Sequence, residues 1–595
     1  MSNPQIAPES TQWVLVAALD ALRADGMKVV NVGDGRVVVF AAGDRIYAVD
    51  NRCPHMGFPL DRGTVSDGIL TCHWHQARFD LASGCTFDLF ADDVPAYETR
   101  IEDGSVYVSA QPRRTRDVAY HGERLRRGIE QNVPLVQAKS LLGLLEADAF
   151  DRTIQEVGAY ATQHLASFSE GMVRLACVAN LYPYLSNETA YQALFYAVRQ
   201  VAAETSSAIP GKGRSPLEPA DHDFETLRRW LRQWVQTRHR DAAERTLLTG
   251  ARLLDAEAFA ALLFGAAAER LYANTGHLFD SCNKAVELAG DVAGDAAGVG
   301  IEALLPLLTV PLTLVRGEEE STAWHHPIEI VAPLRALEAE LPELLARAAK
   351  NRTAKSDGSG ESALVEVLLG DDPIAIIGAL RDALSEGAAP AALAARVAHA
   401  SVLRLARFAT SNEVTDWFSV QHTMNFSCAV QRAVQRSASP DVVRAIFHGA
   451  IAVYMDRYLN VPAARLPHER GGADKLPTGA DELLRLLLES LDQRGEIDAS
   501  AALVSRYLRQ GHAFEALVDT LALATVREDL DFHTLQGLEA GVRLCEIYKG
   551  GPEVEEIMVG VVRGLAAQCP TRRAGQQTAT IALRLHRGDA VYEPA

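Results

Sequence analysis

Four residues early in the chain have the types and spacing of a metal-binding site. Cys53 and His55 form a Cys-x-His pair, and sixteen residues separate it from a Cys-x-x-His pair formed by Cys72 and His75. Two thiolates and two imidazoles can hold an asymmetric [2Fe–2S] cluster, with sulfur on one iron and nitrogen on the other. A tetrahedral zinc ion takes the same ligand types. The mixed pairs favour the cluster, because zinc fingers usually pair cysteine with cysteine and histidine with histidine.

The residues around both pairs resemble the cluster loops of the Rieske family. Loop prolines and a glycine accompany the first pair: Pro54, Gly57 and Pro59. The second pair is followed by Phe79-Asp80 and Gly84, which match the hairpin of Rieske ferredoxins. The resemblance covers residues 12–112 and implies that the two Cys/His pairs ligate a [2Fe–2S] cluster.

The same resemblance separates His75 from His73 and indicates a branch of the family. The Rieske pattern places the ligand at His75, so His73 is expected to be a bystander. High-potential respiratory members carry an additional cysteine in each loop, joined as a disulfide, whereas this sequence has Phe58 and Trp74 there. This implies the ferredoxin or oxygenase branch and a reducing compartment, and we expect a cytoplasmic protein.

The cluster pairs lie in a segment that reads as β-structure. Runs of β-branched residues are bounded by glycine and aspartate turns. They span residues 27–32, 36–40, 45–49, 94–99 and 105–108. We therefore predict a small all-β domain over residues 1–112, whose strands hold the two ligand loops at one end.

After about residue 117 the composition changes to one rich in alanine, leucine, arginine and glutamate. Apolar positions now recur every three or four residues, which predicts amphipathic helices. Residues 113–595 are thus expected to form a large all-α domain. Stretches rich in glycine, proline or serine divide it into four approximate blocks, which are 117–204, 222–348, 362–466 and 480–590. The blocks look related, and we predict divergent helical repeats.

One histidine in each block is predicted to open a helix. These are His164, His277, His422 and His512. Three of them are followed, three residues later, by a carboxylate or an amide: Asp280, Asn425 and Glu515. Groups at i and i+3 share one face of a helix. The histidines therefore either cap and pack their own helices or contribute to a second metal site.

The Rieske resemblance favours the metal, because a one-electron cluster needs an acceptor. In Rieske oxygenases the acceptor is a mononuclear iron held by two histidines and a carboxylate. We predict catalytic roles for His277, His422 and Asp280, with His164, His512 and Glu515 as further possible ligands of a non-haem iron. His533 is one of several additional histidines. The usual oxygenase motif and strands are absent from this sequence, and the helical part is instead similar to questin-oxidase-like helical oxygenases.

The net charge of the chain and the absence of nucleotide-binding motifs argue against several classes of partner. A net charge of −19 argues against nucleic acid and against an anionic membrane surface. The longest apolar run, residues 297–315, is interrupted by Glu302, Pro306 and Pro311, so we expect no membrane span. The start of the chain does not resemble a signal peptide.

The sequence contains no dinucleotide fingerprint or phosphate loop. We therefore expect an external donor, either a ferredoxin or an NAD(P)H-dependent reductase.

The sequence predicts a Rieske-dependent oxygenase or oxidase. Its cluster would deliver electrons to a histidine-rich site in the helical domain, where a small organic substrate is transformed; the protein could act as an oligomer. The alternative is an electron-transfer or redox-sensing module on a helical-repeat scaffold that binds a partner protein. Metal beyond the two cluster irons is expected for the enzyme and not for the scaffold.

Overall fold

The computed structural model describes residues 12–33, 35–114, 116–211, 213–218, 221–290, 299–351, 359–470, 475–589 and 591. Its residues group into two compact units. One unit comprises residues 1–149 together with 577–595, and the other comprises residues 150–576.

The first unit contains all the strands of the described residues. They are β1 (Trp13–Ala18), β2 (Met27–Val32), β3 (Gly35–Ala42), β4 (Arg45–Asp50), β5 (Thr64–Ser66), β6 (Ile69–Thr71), β7 (Arg78–Asp80), β8 (Ala96–Glu102) and β9 (Ser105–Pro112). A six-stranded antiparallel sheet has the order β1-β9-β8-β4-β3-β2, and β5-β6-β7 form a second sheet. The predicted β-domain is confirmed.

The helices are α1 (Leu19–Asp25), α2 (Val118–Glu130), α3 (Pro134–Glu146), α4 (Phe150–His164), α5 (Glu170–Leu181), α6 (Asn187–Thr205), α7 (Phe224–Gln236), α8 (Arg240–Leu253), α9 (Ala256–Ala267), α10 (His277–Ala289), α11 (Ile301–Leu314), α12 (Val331–Asn351), α13 (Ser359–Leu368), α14 (Pro373–Glu386), α15 (Pro390–Ala406), α16 (Val414–Arg436), α17 (Pro440–Met455), α18 (Pro467–Arg470), α19 (Ala480–Leu491), α20 (Ile497–Arg509), α21 (Phe514–Val526), α22 (Phe532–Ile547), α23 (Glu553–Ala566) and α24 (Gln577–His586). A small β-rich domain is thus followed by a large helical region, as the sequence predicts.

Strand β3 organises the β-domain because both of its faces are buried. Val37 and Val39 pack into one core. Val38 and Phe40 point the other way, as alternate residues of a strand must, and pack into a second core that includes Cys53 and Cys72. The cluster cysteines are therefore anchored in the hydrophobic interior of the domain.

The first compact unit extends beyond the strands. The change from strand to helix falls near residue 112, since β9 ends at Pro112 and α2 begins at Val118. Helices α2, α3 and the C-terminal α24 nevertheless belong to the same unit as the sheet. Helix α3 packs against both α2 and α24. This unit thus combines the β-domain with three helices from the part of the sequence predicted to be all-α.

The second unit is helical throughout its described residues, and four of its helices form a connected group. Helix α16 packs against α10 and α22, and α5 also packs against α10 and α22. Histidines from α10, α16 and α22 meet in this group. None of the described helices is long and apolar enough to cross a bilayer.

The prediction that each of the four histidines opens a helix is correct for His277 alone. His164 is the last residue of α4, His422 lies inside α16, and His512 precedes α21. Helix α16 begins earlier than expected because Glu413 and Asp416 form a capping box at its start. The four histidines thus have no equivalent position, and the divergent repeat stays a prediction.

Candidate metal centres

The first Cys/His pair lies in a tight loop between β4 and β5. The N–H of Cys53 donates to the carbonyl of Phe58 (2.8 Å), and the N–H of Gly57 donates to the carbonyl of Cys53 (2.8 Å). Gly57 has a φ of +79°, a backbone conformation that glycine adopts without steric cost. The loop that carries Cys53 and His55 is therefore closed by its own backbone.

The second pair lies in a loop with the same backbone pattern, between β6 and β7. The N–H of Cys72 donates to Ala77 O (2.8 Å), and the N–H of Gln76 donates to Cys72 O (3.0 Å). Gln76 occupies the position that corresponds to the glycine and has a φ of +62°. Such a conformation is costly for a residue with a side chain, so this loop is held in a strained shape that presents its ligands.

The two sulfurs lie together in the core. Cys53 is 2% exposed and Cys72 is 1% exposed. The Cys53 thiol donates to Cys72, which is the main cause that lowers the pKa of Cys72 to about 6. Each sulfur also accepts from two main-chain N–H groups: those of His55 and Met56 at Cys53, and those of Trp74 and His75 at Cys72. Such donors stabilise thiolate, the form that binds metal.

The two imidazoles complete the set. The rings of His55 and His75 lie 4.8 Å apart in an edge-to-face arrangement. The Nδ1 atom of His55 is buried and has no hydrogen-bond partner among the described residues, as expected of a nitrogen that binds iron. Burial lowers the pKa of His55 to about 4, so this ring is neutral at neutral pH. These residues fit a [2Fe–2S] cluster.

His73 has a different environment. Its Nε2 lies 2.5 Å from the hydroxyl of Thr64, whereas the ring of His75 lies against the ring of His55. His73 is therefore hydrogen-bonded to Thr64 of β5. This geometry supports the expectation that His75 is the ligand of this loop.

A second constellation joins three histidines from three helices. The Nε2 of His533 lies 2.8 Å from the Nε2 of His422 and 3.2 Å from the Nε2 of His277. Two nitrogens that each lie about 2.1 Å from one metal ion are separated by about 3.0–3.4 Å. The spacing therefore suits a single ion, and all three ligand atoms lie within 4.8 Å of one another.

Carboxylates lie on the other nitrogen of two of these rings. Oδ2 of Asp280 lies 3.2 Å from Nδ1 of His277, and Oδ1 of Asp531 lies 2.7 Å from Nδ1 of His533. A carboxylate hydrogen-bonded to Nδ1 fixes the ring and leaves Nε2 to a metal. Asp280 has the geometry of such a bond, whereas Asp531 lies within ion-pair distance of His533 Nδ1 without it. Asp280, which we predicted as a ligand, lies against Nδ1 of His277 and is not one of the three grouped ligand residues. Asp531 also caps α22 by accepting from the N–H of His533 (3.0 Å).

Burial and the neighbouring charges set the protonation of these rings. Burial, followed by the two neighbouring histidines, lowers the pKa of His422 to about 3. Burial also lowers the pKa of His277, but Asp280 outweighs it and the net pKa is raised. The low pKa of His422 keeps its imidazole neutral, as metal binding requires.

The remaining predicted residues lie elsewhere. His164 lies 2.8 Å from the carbonyl of Tyr160, through its Nδ1 atom, and Nε2 of His512 lies 2.8 Å from the carbonyl of Thr478. Glu515 is exposed on α21. Both histidines therefore contact main-chain carbonyl groups, and neither belongs to the three-histidine group. The structure therefore brings together only His277, His422 and the orienting Asp280 from the predicted set.

Sequence reasoning missed two members of this site. His533 was counted only as an additional histidine, and Asp531 was not considered. The available signal was the Asp-x-His spacing at the start of α22, because an N-cap aspartate two residues before a histidine can reach its ring. Asn425, which we noted for its spacing, donates instead to the carbonyl of His533 (3.3 Å).

Comparisons with known proteins agree with the first centre. The fold and the paired Cys/His loops define an iron–sulfur protein of the Rieske type. A family model described as "Rieske [2Fe-2S] domain" matches residues 12–98, and through this domain the chain belongs to the Rieske family. The helical remainder has no family match.

Individual relatives also match the N-terminal region. The ferredoxin subunit of anthranilate 1,2-dioxygenase from Burkholderia cepacia is 30% identical over 99 residues, which are 16% of this chain and 92% of the subunit. Human apoptosis-inducing factor 3 is 30% identical over 109 residues, 18% of either chain. The carbazole 1,9a-dioxygenase ferredoxin from Nocardioides aromaticivorans has 31% identity and a TM-score of 0.16, covering 18% of this chain and all of that structure. The chain thus spans less than a fifth of apoptosis-inducing factor 3 but nearly all of a Rieske ferredoxin.

Proposed function

We propose that the protein is a Rieske-dependent oxidoreductase, of the oxygenase or oxidase type, with a second metal held by His277, His422 and His533. The convergence of three Nε2 atoms from three different helices carries this proposal. Its Rieske domain is homologous to ferredoxin components of oxygenase systems, including that of an alkene monooxygenase. Such ferredoxins act with an oxygenase, so a second redox centre in the same chain is a reasonable acceptor.

The residues of the helical site have distinct roles. The three imidazoles would hold the ion, Asp280 would fix the ring of His277 through its hydrogen bond with Nδ1, and Asp531 would orient the ring of His533 from an Oδ1–Nδ1 distance of 2.7 Å. Three protein ligands leave coordination positions open for oxygen or a substrate. A redox metal bound there would supply one-electron chemistry to a small organic substrate.

In the first unit, Cys53 and Cys72 would bind one iron of the cluster and His55 and His75 the other. The cluster would accept electrons singly from an external ferredoxin or NAD(P)H-dependent reductase. All eight cysteines are free, which supports a reducing compartment, and we propose a cytoplasmic protein.

Metal analysis of the purified holoprotein tests the proposal. We expect about one equivalent of metal beyond the two cluster irons. His422→Ala and His533→Ala are expected to lose this equivalent and keep the Rieske spectrum. His512→Ala is the matched control, because the Nε2 atom of His512 contacts the carbonyl of Thr478 and His512 is not one of the three grouped histidines. Two irons per chain, unchanged in all variants, would exclude the second metal and favour the protein-binding scaffold.

Electron transfer is tested separately. The dithionite-reduced cluster should be reoxidised by oxygen more slowly in His422→Ala than in the wild type, because its acceptor is lost. Equal rates in wild type, His422→Ala and His512→Ala would show that the cluster does not depend on the helical site.

A further inference from the structure

A cavity lies behind the first cluster loop, within the first compact unit. It has a volume of about 420 Å³ and is lined by that loop and by side chains of α2, α3 and α24. This volume is in the range of small-molecule sites. The lining includes Cys53 but not the other three cluster-binding residues, so the cavity is distinct from the space between the two ligand loops.

Three cations at this cavity form no ion pair at contact distance with a carboxylate of the described residues. Arg52 donates to Asp589 O (2.8 Å), Arg116 donates to Asp93 O, and Lys139 donates to the carbonyls of Pro54 and His55. These acceptors are main-chain carbonyls, which do not neutralise a charge. The cavity therefore holds an excess of positive charge.

The acidic residues of the lining are largely engaged. Asp92 is paired with Arg124 (2.7 Å), and Glu146 is paired with His586 (2.6 Å). Asp50 remains, and its carboxylate accepts from the N–H of Arg52 (2.9 Å). With neutral histidines, the lining carries four cations (Arg52, Arg116, Arg124 and Lys139) and three carboxylates (Asp50, Asp92 and Glu146), so the cavity is net positive.

An unsatisfied donor also lines this cavity. The hydroxyl of Tyr120 is buried and has no hydrogen-bond partner among the described residues. Buried hydroxyls normally have a hydrogen-bond partner, and leaving one unpaired is unfavourable. A bound molecule with an acceptor oxygen would satisfy this group together with the neighbouring cations.

We propose that this cavity binds a small anion through a carboxylate or phosphate group, with Arg52, Arg116, Lys139 and Tyr120 as its donors. Lys139 connects the site to the cluster loop, because its ammonium donates to the carbonyl of His55 at 2.6 Å. Negative charge placed here disfavours the additional electron of the reduced cluster. Binding therefore lowers the midpoint potential. The inference does not depend on the three-histidine site.

Calorimetric titration of the full-length holoprotein with inorganic phosphate and with succinate, at constant ionic strength, distinguishes the two anion classes. We expect one of them to bind the wild type and to bind Lys139→Gln and Arg116→Gln at least tenfold more weakly. Lys28→Gln, which changes an exposed lysine of β2, should bind as the wild type does. Because Arg116 is exposed, its variant serves if Lys139→Gln fails to fold.

A redox titration gives the second readout. The midpoint potential of the cluster should fall in wild type and Lys28→Gln at an anion concentration that half-saturates the wild type, and should fall much less in Arg116→Gln at the same concentration. No binding of either anion at millimolar concentration would overturn the inference. Equal binding by wild type and both cavity variants would also overturn it, since the anion would then occupy another surface.

Discussion

The Nε2 atoms of His422 and His533 lie 2.8 Å apart, although 111 residues separate the two histidines along the chain. His422 lies in the middle of α16, and His533 is the second residue of α22. Their contact exists because these two helices pack together. The relationship places two potential metal ligands where one ion can bind both, and Asp531 lies 2.7 Å from the other ring nitrogen of His533.

Asp531→Asn should weaken binding of the second metal by about 10–100-fold, the usual effect of removing a carboxylate that orients a ligand histidine. Asparagine is also a good N-cap, so α22 should remain intact. A competition titration with a chelator measures the affinity. Glu515→Gln is the control, because Glu515 is exposed on α21. Unchanged affinity in Asp531→Asn would mean that Asp531 acts only as a helix cap.

The two histidines of the second cluster loop should behave differently. His75→Ala is expected to abolish the reduced-state EPR signal with average g below 2, because it removes an iron ligand. His73→Ala should retain the signal, since the Nε2 of His73 lies 2.5 Å from the hydroxyl of Thr64 instead. The reverse pattern would reassign the ligand. Tightly bound zinc without iron in the wild type would exclude the cluster altogether.

Gly84→Ala should destabilise the β-domain far more than Gly68→Ala. Both glycines have positive φ, +76° and +79°, so both variants carry a backbone cost of about 1–2 kcal/mol. A methyl group at Gly84 would also lie 2.1 Å from the carbonyl oxygen of Val94, whereas nothing lies within 4 Å at Gly68. Thermal melts followed at the cluster absorbance compare the two. Equal melting temperatures would show that the chain near Val94 moves freely.

Asp456→Asn should stabilise the helical unit at high pH. Burial raises the pKa of Asp456 from 3.8 to about 7. A raised carboxyl pKa means that the folded state holds the proton more tightly than the unfolded state, so wild-type stability falls as pH rises from about 4 to about 7. The penalty above pH 7 is at most about 4 kcal/mol.

Melting temperatures of wild type and Asp456→Asn test this at pH 5 and pH 8. The variant should gain more at pH 8 than at pH 5. Asp382→Asn, at an exposed position of α14, should show no such difference. A gain of equal size at both pH values would indicate that the asparagine improves packing and that titration is not involved.

Lys284→Met should destabilise the helical unit by about 3–5 kcal/mol, the usual cost of removing one partner of a buried ion pair. The Lys284 ammonium lies 2.8 Å from Glu287 and also contacts Glu539, and all three side chains are almost fully buried. Arg316→Gln breaks an exposed pair with Glu320 (3.0 Å) and should cost under about 1 kcal/mol. Urea unfolding followed by circular dichroism measures both. Equal midpoints would show that water reaches the buried charges.

The sequence by itself determined the features that depend on neighbouring residues. The Cys/His pairs, the strand runs and the change to helix near residue 112 are local patterns, and the structure confirms the strands and the helices. The two ligand loops also follow locally, because Gly57 and Gln76 close them by the same backbone bonds. Short-range geometry is encoded in the types and spacing of consecutive residues.

Only the tertiary structure decided which distant residues meet. His164 and His512 were predicted to open helices, as His277 was, yet their rings contact the main-chain carbonyl groups of Tyr160 and Thr478. His533 had a weaker signal and lies at the centre of the site. The same is true of α24, which is last in the helical sequence but joins the compact unit of the β-domain. Helical periodicity specifies which face of a helix is buried but not which other helix covers it, so convergence is fixed by packing.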